Sequence, residues 1–135
     1  MNTRPRTNWA GNITFGAADL LRPASVSELQ AAVAQASRIR VLATGHSFND
    51  MADSPGAQVS LAGLPPVVEI DSAGLVARIS AGLSYAELAS RLDQKGFALR
   101  NLASLPHISV AGACATALSP VNSTTARAAA RASLR

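Results

Sequence analysis

Apolar and polar positions recur along this chain with two different periods, and the changes of period mark out its elements. Val26, Leu29, Val33 and Ala36 repeat at three- and four-residue steps behind Ser25-Val-Ser-Glu28. That Ser-x-x-Glu spacing is a capping box, in which each side chain satisfies an orphan amide at a helix start. It predicts a helix over residues 26–37 with one buried face. Ile39-Arg-Val-Leu42 alternates and is β-branched, which reads as a strand running into Gly45. Strands are expected at Val59–Leu61, Val67–Asp71 and Leu75–Ser80, the last two joined by Asp71-Ser-Ala-Gly74, a link with hairpin chemistry. Ser84-Tyr-Ala-Glu87 is a second capping box, with Leu83 and Leu88 at staple positions. Tyr85, Leu88 and Leu92 form its buried stripe, Gly96 is the C-terminal stop, and Phe97–Leu99 returns to a sheet. This order predicts an α+β fold of short mixed strands and two amphipathic helices, with antiparallel hairpins rather than regular βαβ units. No internal repeat is present.

Composition narrows the function. At 135 residues and 48% hydrophobic, the chain has room for one packed domain. No apolar run approaches the roughly 20 residues needed to cross a bilayer. The basic start, Met1–Thr7, is followed by no apolar stretch, so it does not read as a secretory signal. Cys114 is the only cysteine, which excludes an internal disulfide. Cytoplasmic location is the default expectation, with no membrane partner. The net charge of +4 collects at the ends: Arg4 and Arg6 at one, Arg127, Arg131 and Arg135 at the other. Between them eight acids stand against seven Lys and Arg, so no basic stripe for a phosphate backbone exists and no nucleic-acid partner is expected. No G-x-G-x-x-G opens a helix and no P-loop motif occurs, which argues against a Rossmann site or a nucleoside-triphosphate cradle.

The chemistry concentrates in Val41-Leu-Ala-Thr-Gly-His-Ser-Phe-Asn49. A strand that breaks at a glycine can turn successive backbone N–H groups toward an anion without a lysine, and Thr44 and Ser47 add hydroxyl donors. His46 presents a nucleophilic nitrogen, since an ordinary imidazole pKa of about 6.5 leaves most of it neutral at pH 7. On the residues alone, a strand exit with a surface histidine explains the same pattern. Ser109-Val-Ala-Gly-Ala-Cys-Ala-Thr116 is a small-residue run that suits either close backbone approach to a ligand or tight packing. Cys114 within it reads as a small buried apolar residue, and no metal-ligand cluster is expected.

Three segments together resemble a known family: Asn8-Trp-Ala-Gly-Asn12, Gly45-His-Ser-Phe-Asn49, and Ala103-Ser-Leu-Pro-His-Ile-Ser-Val-Ala-Gly112. In this order and spacing the chain resembles the alditol oxidases (xylitol or sorbitol oxidases) of the vanillyl-alcohol-oxidase type. The resemblance covers residues 8–116 and implies the N-terminal part of a PCMH-type FAD-binding domain. It implies FAD as cofactor, joined covalently through an imidazole nitrogen of His46 to the flavin 8α carbon. It further implies FAD contacts at Val41, Leu42, Ala43, Thr44, Gly45, His46 and Ser47, and at Ser104, Ser109, Gly112 and Thr116. Ser104 also matches a serine that contacts the polyol; without the resemblance it is a turn serine before Pro106. His107 is given no catalytic role, and no catalytic residue is assigned. The complete family enzyme oxidises an alditol to an aldose and passes the electrons to dioxygen, releasing hydrogen peroxide.

The resemblance stops after Thr116, where the family continues with Thr-Gly-Thr-His-Gly and this chain reads Ala117-Leu-Ser-Pro120. Residues 117–135 hold no acid and no aromatic, so a disordered tail, read as out-of-frame translation, is expected there, with a flexible extension over 1–7. FAD binding in a truncated, inactive alditol-oxidase-like flavoprotein is the leading expectation. A fragment of a related sugar-lactone oxidase, or a non-catalytic product with a basic tail, are the alternatives.

Overall fold

A computed structural model describes residues 5–100, 102–116 and 128–130, and the chain divides into two compact units, Met1–Pro65 and Pro66–Arg135. The first unit opens with a pinned turn. Asn8 N–H donates to the Ile13 carbonyl at 3.0 Å, Phe15 N–H donates to the Arg6 carbonyl at 2.8 Å, and Thr7 bridges Thr14 in antiparallel sense. Gly11 closes the turn at φ 72°, a left-handed angle that costs glycine little. Arg6 and Thr7, assigned from sequence to the extension, are thus hydrogen-bonded into the unit.

Strand β1 (Asp19–Leu21), helix α1 (Val26–Gln35), β2 (Ile39–Val41), a 3₁₀ turn (Asp50–Ala52) and β3 (Ala57–Val59) follow. The strands form a parallel sheet in the order β1-β3-β2, with Gln58 opposite both Leu20 and Arg40. The expectation of hairpins is therefore wrong for this unit: β1-α1-β2 is a crossover with β3 laid in the middle. Three-residue strands are too short to show the continuous apolar run by which a buried parallel strand is recognised. The central strand hides the signal further, because its middle residue is a fully buried Gln58 whose amide N–H donates to the Ala52 carbonyl at 2.7 Å. It also begins two residues before the expected Val59–Leu61. β1 has no counterpart in the sequence reading.

α1 forms with Ser25 as its N-cap, Ser25 Oγ accepting from Glu28 N–H while Glu28 accepts from Ala24 N–H. Its expected buried face does not materialise. None of its residues is buried, and Val26 and Val33 are 61% and 49% exposed. Periodicity shows that a stripe exists; an element packed on it is a separate requirement, and the described residues of this unit do not cover it. Asp53 ties the unit together instead. Its carboxylate accepts from Gly16, Ala17 and Ser54 N–H groups at 2.9, 3.2 and 2.8 Å. These bonds, Gly16 foremost, hold its pKa below the ordinary carboxylate value against the opposing effect of desolvation.

The second unit contains the expected antiparallel hairpin of β4 (Val68–Asp71) and β5 (Val76–Ile79). Asp71 Oδ1 accepts from Ala73 and Gly74 N–H, the self-capping turn that its sequence suggested. α2 (Tyr85–Asp93) has both arms of its capping box, and β6 (Phe97–Leu99) pairs antiparallel with β7 (Ala128–Ala130). α3 (Val110–Ala115) was not foreseen. Leu88 and Leu92 are fully buried and centre a core with Ala77, Tyr85, Ile108, Val110 and Ala113. The other residues of the expected disordered tail lie outside the described residues.

Candidate functional site

The loop after β2 takes its shape from Gly45, whose φ of 70° reverses the backbone just before His46. An added Cβ at Gly45 would meet only ordinary contacts, the nearest being Trp9 N at 3.6 Å, so the angle and not space requires glycine. Two hydrogen bonds hold the loop on either side of the histidine. Trp9 N–H donates to the Gly45 carbonyl at 2.8 Å, and the Asn8 side-chain amide donates to the Ser47 carbonyl at 3.0 Å. Between these anchors the Trp9 indole stacks on the His46 imidazole, ring centroids 5.0 Å apart and planes 20° from parallel. The first two sequence segments are therefore one structural feature.

Burial divides labour between the two clamp residues. Asn8 is 3% exposed and also accepts from Ile13 N–H at 3.0 Å and donates to Asn12 Oδ1 at 2.8 Å, so it is a structural anchor. Trp9 is 62% exposed, far more than packing alone would leave an indole, and it presents its ring to the histidine. His46 and Ser47 are half-buried; Val41, Ala43 and Thr44 are exposed; Leu42 N–H donates to the Val59 carbonyl at 2.9 Å, fixing the loop to the sheet. Asn49, the last residue of the segment, is exposed. Its Oδ1 caps the 3₁₀ turn, accepting from Met51 N–H at 3.3 Å.

The third segment belongs to the second unit and wraps the start of α2. Tyr85 N–H donates to the Ile108 carbonyl at 3.1 Å, Ala86 N–H to the Pro106 carbonyl at 2.8 Å, and Val110 N–H to the Leu83 carbonyl at 3.0 Å. Ser109 is buried and its Oγ accepts from Gly112 N–H as the N-cap of α3, while Thr116 Oγ1 donates to the Gly112 carbonyl. The hydroxyls of Ser109 and Thr116 thus serve the helix itself. Ser104 is exposed. Cys114 is exposed, not the buried apolar residue expected, although it lies one turn after the buried Val110. Sequence reasoning gave Asn8 and Trp9 no role beyond identifying the family. Their contacts with 45–47 span nearly forty residues, a separation at which spacing carries no signal.

Among the described residues no group of three or more His, Cys, Asp or Glu could hold a metal, and no helix is long and apolar enough to cross a membrane. An alditol oxidase from a Streptomyces sp. (strain IKD472) is 46% identical over 113 residues, which are 82% of this chain and 27% of that protein. An L-gulono-1,4-lactone dehydrogenase from Mycobacterium tuberculosis is 31% identical over 115 residues, again 82% and 27%. The chain thus spans about a quarter of the length of these relatives. In fold it is similar to the crystal structure of cholesterol oxidase from B. sterolicum, with TM-score 0.70 at 17% identity, over 82% of this chain and 23% of that one. The family model for the FAD binding domain matches residues 17–131, running past Thr116, where the motif resemblance ends. With that match taking in most of the chain, including the β2–Gly45–His46 loop and both capped helices, the protein belongs to the FAD-binding domain family and FAD is its cofactor.

Proposed function

We propose that this chain is the flavin-holding part of an alditol-oxidase-like oxidoreductase, with FAD joined covalently through His46. The observation that carries this reading is the histidine loop: a left-handed Gly45, an imidazole stacked on an indole, and backbone anchors at the Gly45 and Ser47 carbonyls. Around the histidine the loop is held through the Gly45 and Ser47 carbonyls, which suits a segment whose amides serve a pyrophosphate, while the Leu42 amide is taken by the sheet. Val41–Ser47 would contact that pyrophosphate, with Thr44 and Ser47 as added donors. Ser104 would contact flavin and polyol through its exposed hydroxyl. Ser109, Gly112 and Thr116 would border the cofactor through backbone, since their hydroxyls cap α3.

The residues present fit the group in chemistry: a half-buried imidazole on a loop whose backbone is hydrogen-bonded on both sides. Bound flavin supplies a two-electron acceptor that dioxygen reoxidises. His46 anchors the cofactor, and Ser104 donates or accepts one hydrogen bond to a substrate alcohol. One hydroxyl does not align a carbinol for hydride removal, so turnover by this chain alone is not expected. A sugar-lactone substrate is the second reading, favoured by the 31% identity to a lactone dehydrogenase, though the 46% alditol-oxidase match outweighs it. Intact mass of protein expressed with excess flavin tests the proposal. A covalent FAD adduct that disappears in His46→Ala supports it; an adduct that persists there, or none in the parent, refutes it. Peroxide formed from xylitol by the purified chain would overturn the expectation of no turnover.

A further inference from the structure

We infer that Trp9 is a positioning residue for the attachment step, setting the direction in which the His46 ring nitrogens point. The inference rests on the covalent reading above. A histidine in a glycine loop has two soft side-chain torsions, and attack on carbon demands a reacting nitrogen within about 3–3.5 Å and aligned. Backbone anchors fix where His46 starts but not how its ring is turned. Here the backbone is fixed on both sides, at the Gly45 and Ser47 carbonyls, by the same two residues that deliver the indole. The indole lies nearly parallel to the imidazole at stacking distance, so tilting the ring out of that plane would break the stack. Trp9 is 62% exposed, so burial does not account for a tryptophan at this position.

The step balances with dioxygen as its two-electron oxidant. One N–C bond forms between the imidazole and the flavin 8α carbon as one methyl C–H and one imidazole N–H are lost. The two hydrogens and two electrons pass to the ring and then to dioxygen, which leaves as hydrogen peroxide. Trp9 takes no part in bond making.

The test compares the full chain with Trp9→Phe, Trp9→Leu and His46→Ala, following the covalent mass increment over time after adding FAD. Phe keeps an aromatic face and Leu keeps apolar bulk without one. Attachment is expected at near-parent rate in Trp9→Phe and at least about tenfold slower in Trp9→Leu, with equal circular dichroism and equal reversible FAD uptake. A readout without flavin accompanies it: the upfield ring-current shift of the His46 proton resonances, identified by their loss in His46→Ala, is expected to persist in Phe and vanish in Leu. Equal attachment rates for Leu and Phe would overturn the positioning role while leaving covalent attachment standing. No adduct in the parent would sink the covalent reading and the inference with it. Should Trp9→Leu fail to fold, Trp9→His and Trp9→Met supply the same aromatic-against-apolar contrast.

Discussion

Replacing Asn8 by alanine removes one of the few buried polar side chains and leaves its partners behind. Three bonds disappear: to Ile13 N–H at 3.0 Å, to the Ser47 carbonyl at 3.0 Å and to Asn12 Oδ1 at 2.8 Å. Asn12 is exposed, so water replaces that bond at little cost. Ile13 and Ser47 are half-buried, and a typical net loss of about 1 kcal/mol applies to each, more if water cannot reach them. The expected destabilisation is about 2–3 kcal/mol. Trp9 is the only tryptophan in the chain and sits next to the mutated residue. Urea unfolding followed by its fluorescence therefore reports the affected unit directly. The midpoint should fall with the slope unchanged. A variant within about 0.5 kcal/mol of the parent, the range of ordinary surface changes, would show that Asn8 does not anchor the loop.

Leu88→Ala empties the centre of the second unit's core and should cost about 2–5 kcal/mol by thermal or chemical denaturation; a cost under 1 kcal/mol would mean that the core is not packed as described. Gly56→Ala drives a Cβ into the Arg38 carbonyl oxygen, which is backbone and cannot step aside, whereas Gly11→Ala meets nothing within 4 Å and pays only for its positive φ. The first should lower stability more than the second, and the reverse order in a melting comparison would contradict the register of β2 and β3. Asp53 and Glu87 have folded pKa values held below their ordinary ones, by the Gly16 and Ser84 backbone bonds respectively. Their stabilisation is present above the ordinary carboxylate range and is lost as pH falls through the lower folded values. Stability should drop on acidification below about pH 4–5, less steeply in Asp53→Asn than in the parent; parallel pH profiles would refute the linkage.

How far the fold could be read from sequence depended on whether the signal was local. Helices α1 and α2 announced themselves, because a capping box involves residues three apart, and Ser84 and Glu87 satisfy each other as the motif requires. The β4–β5 hairpin was legible for the same reason: Asp71 bonds amides two and three residues on. The parallel sheet was not, since its pairings join residues 57–59 to strands near 20 and 40 through three-residue contacts with a buried glutamine at the centre. Burial of α1 was overcalled because an apolar stripe says nothing about what covers it. At the candidate site, Gly45 and His46 were visible as a break and a nucleophile, whereas Asn8 and Trp9 were visible only as motif letters.

That last difference shows how the loop is built. A tight hairpin alternates the sides to which neighbouring residues point, so Asn8 faces inward and Trp9 outward within one step of chain. The inward residue spends its hydrogen bonds on backbone and sets where the loop sits. The outward one contributes a flat face worth about 0.5–1.5 kcal/mol as an aromatic pair, too little to hold a fold but enough to bias a side-chain torsion several-fold. Stability and ring orientation are thereby carried by adjacent residues with separable effects. On the proposed covalent attachment His46 needs both, because a well-folded loop with a freely turning ring would present its nitrogen correctly only part of the time.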